Sequence, residues 1–152
     1  MKGKNLAFNK RAKFDYEILE TLEAGLVLLG TEVKSVRAGN MSLKGAFVTI
    51  HDEEAWLTNA TIPPWQVKNA PDDYDPVRSR KVLLKKSDIA QLIGNKQSQG
   101  LTIVPISVYN KGARIKLKIA LAKGKKKHDK KQSKKEADIK RDVDRVLRGK
   151  DY

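Results

Sequence analysis

The residues of this chain that could do covalent chemistry are few, and their spacing does not suit it. There is no Cys and there are two His, His51 and His128. Disulfides and thiolate metal sites are thereby excluded, and an all-His metal site lacks ligands. Glu23 and Glu32 stand at opposite ends of one stretch, and Asp52, Glu53 and Glu54 are consecutive turn residues. His51 has no Ser or Asp companion at a telling distance in sequence. The acidic group Asp72, Asp73 and Asp75 sits in a proline-rich loop and reads as solvated charge. Two glycine-bracketed segments, GLVLLG and GNKQSQG, lack the Gly-Lys-Ser/Thr ending of a phosphate cradle. A hydrolase or nuclease needs paired carboxylates, a metal cluster or an activated nucleophile. None is spelled out, so the expectation is a binding protein without cofactor or metal, not an enzyme.

The chemistry that the sequence does supply is cationic. Over 152 residues, 32 Lys and Arg face 18 Asp and Glu, a formal net charge of +14. Such an excess points to an anionic partner: nucleic acid first, an acidic membrane surface second. Lys34, Arg37, Arg78, Arg80, Lys81, Lys85, Lys86, Arg114, Lys116 and Lys118 are spread through segments that otherwise read as folded. Taken singly, each is as well explained by solubility. Turned to one side, the set would hold phosphates. The nine aromatics mostly fall at core parity, which argues against a platform for stacking successive single-stranded bases. A folded RNA, recognised by outline, backbone and a few exposed bases, fits better.

The elements that must carry these cations read as short strands with glycine corners. Met1 to Lys13 is a basic arm, and Tyr16 to Leu22 alternates as a strand, with Tyr16, Ile18 and Glu20 on one face. Leu26 to Leu29, bracketed by Gly25 and Gly30, reads as a strand buried on both faces, reached from Tyr16–Leu22 through a bend at Gly25. Thr31 then caps a short helix with Val33 and Val36 on one side, Glu32 and Arg37 suited to its dipole, and Gly39 as its end. Ala46–Ile50 and Ala55–Thr58 form a hairpin; residues 59–75 form a long irregular loop. Arg78–Leu84 is a strand, Ser87 caps a helix with Ile89, Leu92 and Ile93 as its apolar face, and Leu101–Tyr109 is a strand that Pro105 marks as edge or bulge. Arg114–Ala122 alternates cleanly, Ile115, Leu117, Ile119 and Leu121 inward, Arg114, Lys116 and Lys118 outward. The fold class is mainly β: a small OB-like Greek-key barrel with two or three packed helices and a disordered basic C-terminal tail. A split α+β sheet is the alternative.

Two units follow: 1–123, the barrel, and 124–152, the tail. Lys125 to Lys135 has no apolar residue and cannot offset its ordering entropy. Ile139, Val143, Val146 and Leu147 make a short apolar helical stripe flanked by Lys140, Arg141, Arg145 and Arg148. A helix that short is marginal in water and forms on a partner. No apolar run reaches membrane-spanning length, and MKGKNLAFNK lacks a signal-peptide apolar region. The expected location is cytoplasmic.

Several ordered blocks resemble one family. NKRAKFDY followed by EAGLVLLGTEVKSVRAG, the PxRxRK pattern at Pro76–Lys81, and GKKKHDKK at Gly124–Lys131 are similar to the small protein B (SsrA-binding protein) family, from about Asn9 to Arg148. The resemblance implies an OB-like core that binds the tRNA-like domain of transfer-messenger RNA (tmRNA) and delivers it, with elongation factor Tu, to stalled ribosomes for trans-translation. It places Glu23, Leu83 and Lys85 at positions that contact the tRNA-like domain. Lys85 stands where His or Asn is usual, which favours a phosphate contact. Lys34, Arg37, Arg78, Arg80 and Lys81 complete the expected RNA-binding set. The tail would enter the decoding centre and empty mRNA channel, with Lys125, Lys126, His128, Asp129, Lys130, Lys131, Lys140, Arg141 and Arg145 as ribosome contacts. Lys131 stands where Arg is usual. Two alternatives remain: a general OB-type RNA-binding or ribosomal protein, and a metal-dependent nuclease.

Overall fold

The computed structural model describes residues 5–66 and 73–125. Along them run β1 (Asn5–Phe8), α1 (Ala12–Asp15), β2 (Tyr16–Leu26), α2 (Gly30–Arg37), β3 (Phe47–His51), β4 (Glu54–Thr58), β5 (Arg80–Leu83), α3 (Lys86–Gln99), β6 (Thr102–Lys111) and β7 (Arg114–Gly124). The strands make one seven-stranded antiparallel sheet in the order β1-β6-β7-β2-β5-β4-β3. The expected barrel is not closed. Strand β3 comes close to β6 without pairing with it. The free edge of β6 at Ser107–Tyr109 is taken instead by β1. The sheet is therefore curled and open, and the supposed N-terminal arm supplies an edge strand and a helical turn.

The long strand β2 does run through Gly25, but it stops at Leu26. Val27 and Leu29 are exposed, so the apolar run beyond it is not a doubly buried strand. A bulge between Ile18 and Glu20 shifts the pairing with β7 and exchanges the two faces of β2. Leu22 and Ala24 thus join the main core inside the curl, while Tyr16 and Ile18 pack on the outer side against Val104, Ala120 and Ala122. The outer row of charge on β7 is accordingly limited to Arg114, Lys116 and Lys118. Strand β6 carries the bulge read from Pro105, between Pro105 and Ser107, and Pro105 lies just past the end of β1, where it needs no amide donor on that side.

Helix α2 is capped differently from the expectation at Thr31. It starts at Gly30, and the Leu29 N–H donates to Glu32 Oε1 at 2.9 Å. Helix α3 starts at Lys86 with Lys85 as cap residue, so Ser87 lies in its first turn; Gly100, at φ +62°, ends it in the left-handed region. The hairpin turn between β3 and β4 places Asp52 and Glu53 at φ +51° and +62°, which matches the right-handed strand twist.

Glu32 does more than favour a dipole. It is 1% exposed and Arg80 is 0% exposed. Arg80 donates to Glu32 Oε2 from Nη2 at 2.6 Å and Nε at 2.9 Å, and its other N–H groups reach the Ala60 and Pro76 carbonyls. Arg78 also donates to both Glu32 oxygens, and the Tyr74 hydroxyl lies 3.0 Å from Oε2. Ser35 Oγ donates to the Pro63 carbonyl at 2.7 Å. The long 59–75 segment is therefore fastened to α2 at its described ends. Burial pushes the Glu32 carboxyl up, but the bonds from Arg78, the Leu29 N–H and Arg80 outweigh it and hold it below its ordinary 4.5.

Removing one partner strands a buried charge, so Glu32→Ala is expected to cost about 3–5 kcal/mol in urea unfolding. A depressed folded-state pKa gives stability that is present above pH 4.5 and lost as pH falls through the folded value. Stability measured from pH 7 downward should fall below pH 4.5, and Glu32→Gln should remove that part of the slope.

Candidate nucleic-acid interface

Strand register decides which side chains share the outer face. Glu23 pairs with Lys118, and Gly25 pairs with Lys116 on one side and Leu83 on the other. Tyr109 pairs with Lys116 and Lys111 with Arg114. Side chains directly opposite in a ladder lie on one face. The outer surface therefore reads Tyr109 and Lys111 on β6, Arg114, Lys116 and Lys118 on β7, Glu23 and Gly25 on β2, and Lys81 and Leu83 on β5. Lys34 and Arg37 are exposed on α2, and Arg37 Nη2 donates to the Ala113 carbonyl at 2.8 Å, tying the helix to the β6–β7 turn. Lys85 is exposed at the start of α3.

Two hollows open on this face. The larger, about 640 Å³, lies between β1, β2 and β6 and is lined by Phe8, Glu23, Ile106, Tyr109, Lys111 and Lys118 among others. The smaller, about 310 Å³, is lined by Gly25, Val33, Leu83, Arg37, Arg114 and Lys116 among others, an apolar floor with a cationic rim. Leu83 is 51% exposed, which is high for a strand leucine. It lies over Gly25, where an added Cβ would come 3.1 Å from the Leu83 Cβ and 3.3 Å from its Cδ1. The glycine lets the leucine lie flat across β2.

The structure corrects part of the expected set. Arg80 is buried, and its guanidinium is consumed by Glu32 and two backbone carbonyls, so it cannot meet a phosphate. Arg78 is directed into the same cluster, with its side chain 32% exposed. Strand parity was the available signal: Arg80 alternates with Val82 on the inward face of β5, opposite Lys81 and Leu83. Lys81 is on the outer face and forms an ion pair with Glu54 at 3.2 Å; both are largely solvated, so the pair is weak. Lys125, placed in the tail by sequence, is held to the body: its N–H donates to the Asp15 carbonyl at 2.9 Å and Nζ to the Lys13 carbonyl at 2.7 Å. Lys126, His128, Asp129, Lys130, Lys131, Lys140, Arg141 and Arg145 lie outside the described residues. Among the described residues no group of His, Asp and Glu is gathered as for a metal ion.

Two neighbours of Glu23 were missed. Lys111 Nζ donates to Glu23 Oε1 at 2.9 Å, and the Tyr109 hydroxyl donates to Oε2. The bond from Lys111, then that from Tyr109, hold the Glu23 carboxyl below its ordinary 4.5, and burial opposes them only in part. Glu23 is thus ionised within a cationic surface. The Glu23 carboxyl resonance, followed by carbon NMR, should titrate below pH 4.5, and Lys111→Met should move its midpoint upward.

Comparison with known proteins gives the family and the fold. Residues 6–149 match the family described as SmpB protein. The SsrA-binding protein of Sulfurihydrogenibium sp. is 49% identical over 150 residues, covering 99% of this chain and 98% of that protein. That of Thermosynechococcus vestitus is 48% identical over 145 residues, 95% of each. A solved chain reported under "tmRNA-SmpB: a journey to the center of the bacterial ribosome" superposes with TM-score 0.64 at 44% identity, covering 82% of this chain and 91% of that one. With the match running from β1 into the basic C-terminal segment, and the curled sheet shared with a solved member, this chain belongs to the SmpB family.

Proposed function

We propose that this protein binds the tRNA-like domain of tmRNA and delivers it to stalled ribosomes for trans-translation. The observation that carries the reading is the row Lys116–Gly25–Leu83, with Glu23 and Lys118 beside it, on the outer face of a chain whose relatives are SsrA-binding proteins. The row offers what a folded RNA needs: cations for its backbone, an exposed leucine for one unstacked base, and a carboxylate for base amino groups. Lys34, Arg37, Lys81 and Lys85 extend the cationic surface. The protein acts by binding and not by catalysis.

Delivery involves elongation factor Tu, which carries the aminoacylated RNA into the vacant A site. The basic segment from Lys126 onward then occupies the decoding centre and the mRNA channel and signals that no message is present. His128 stacks there, Asp129, Lys130 and Lys131 contact ribosomal RNA, and Ile139–Leu147 folds within the channel. All of this takes place in the cytoplasm. The solved relative, described with tmRNA and the ribosome together, supports this setting.

Sequencing of the RNA that co-purifies with the protein is the direct test: tmRNA should dominate, and equal recovery of tRNAs would favour a general RNA-binding role. Glu23→Ala should weaken tmRNA binding, and unchanged affinity would remove Glu23 from the interface. If 6–10 phosphates are engaged, affinity should fall roughly 10³–10⁵-fold between 50 and 200 mM salt. Truncation after Lys125 should spare tmRNA binding and abolish peptide tagging; tagging at the normal rate would refute the channel role.

A further inference from the structure

A phosphate-binding surface has no use for the arrangement at the larger hollow, where a carboxylate is fixed from two sides. Lys111 Nζ holds Oε1 of Glu23 and the Tyr109 hydroxyl holds Oε2. An ionised carboxylate has about four lone-pair sites. Each oxygen therefore keeps one for a ligand. Burial, then the bond to Glu23, push the Tyr109 phenol up to about 12, so Tyr109 remains a donor. The acceptor sites left on the carboxylate lie side by side, and the N–H groups that Lys111 does not spend on Oε1 stand next to them. The spot therefore suits two adjacent donors flanked by an acceptor, the order N2–H₂, N1–H, O6 of guanine.

The ligand must match that pattern. A phosphate group is repelled by the carboxylate. A base is accepted to the extent that it presents two adjacent donors. Guanine does so with N1–H and N2–H₂ on its Watson–Crick edge. Adenine and cytosine each place an acceptor beside their amino group, and uracil has one N–H between two carbonyls. A hollow of about 640 Å³ has room for one extruded nucleotide. Phe8, 46% exposed, and Ile106 give apolar surface for the base plane, and Lys13 and Lys118 line the same hollow for flanking phosphates.

We propose that this hollow takes one unpaired guanine of the bound RNA, read by Glu23, with Tyr109 and Lys111 as the residues that position its carboxylate. The proposal rests on the RNA-binding reading above and adds to it the base and the two positioning side chains.

The test is analogue interference on the full chain. Transcribed tmRNA carries phosphorothioate-tagged inosine at random guanosine positions; bound and unbound fractions are separated and cleaved with iodine. Inosine lacks the 2-amino group and keeps N1–H. With the unaltered protein, inosine at one unpaired guanosine should reduce binding about tenfold. Glu23→Gln should abolish discrimination at that position alone. Tyr109→Phe should leave the thermal midpoint within a few degrees and cut the discrimination to about threefold. A merely structural role for Tyr109 would lower affinity for every transcript and leave the guanosine-to-inosine ratio unchanged. The absence of any sensitive guanosine, or an undiminished ratio in Glu23→Gln, would overturn the proposal. A sensitive guanosine in an RNA bound no better than tRNA would support the hollow and refute the tmRNA reading instead.

Discussion

Glu32 and Arg80 meet at 2.6 Å with neither side chain reaching solvent. Either charge alone would be strongly unfavourable at such a depth, and even a pair is weak evidence of net stability. What the cluster does is fix positions. Glu32 sits in the first turn of α2 and also accepts the Leu29 N–H. Arg80 opens β5 and donates to carbonyls at Ala60 and Pro76, near the two ends of the long connection between β4 and β5. Tyr74 and Arg78 reach the same carboxylate from within that connection. A helix, an irregular segment and a strand share one acceptor, and none can shift without unpairing a buried group.

That constraint propagates outward through strand parity. With Arg80 and Val82 fixed inward, Lys81 and Leu83 must face out. Leu83 then lands on Gly25, which pairs with it, and beyond Gly25 stands Lys116. Arg37, at the far end of the anchored helix, reaches the Ala113 carbonyl and closes the smaller hollow. The outer face is therefore arranged from the core, and not from contacts among the cations.

On the proposed RNA-binding face, Glu23 is the residue that would introduce selectivity. Cations alone attract any polyanion, and that attraction is indifferent to sequence. A fixed carboxylate among them disfavours phosphate at one spot, and under the proposed reading it would help to determine which part of an RNA rests there. Lys111 and Tyr109 keep it charged and oriented.

Much of this was legible in the residues themselves. Alternation on β7, the β3–β4 hairpin and the two longer helices follow from periodicity and turn chemistry, which act over a few neighbouring residues. The cationic excess was likewise readable, and so was the family, through the ordered motifs around Glu23. Other features depended on segments distant in the chain. The sheet stays open, and β1, read as a loose arm, takes the edge of β6, a segment distant in the chain. Arg78 and Arg80 looked like surface cations because their type suggests solvent; only the meeting of β5 with α2 supplies the buried carboxylate that makes their burial tolerable. Tyr109 and Lys111 join Glu23 through the order of strands β6, β7 and β2, which local sequence does not encode. Local physics determined the elements and the net charge. Tertiary pairing decided which charges are structural and which stay on the surface, because desolvation is set by the neighbours that the fold assembles and not by the residue itself.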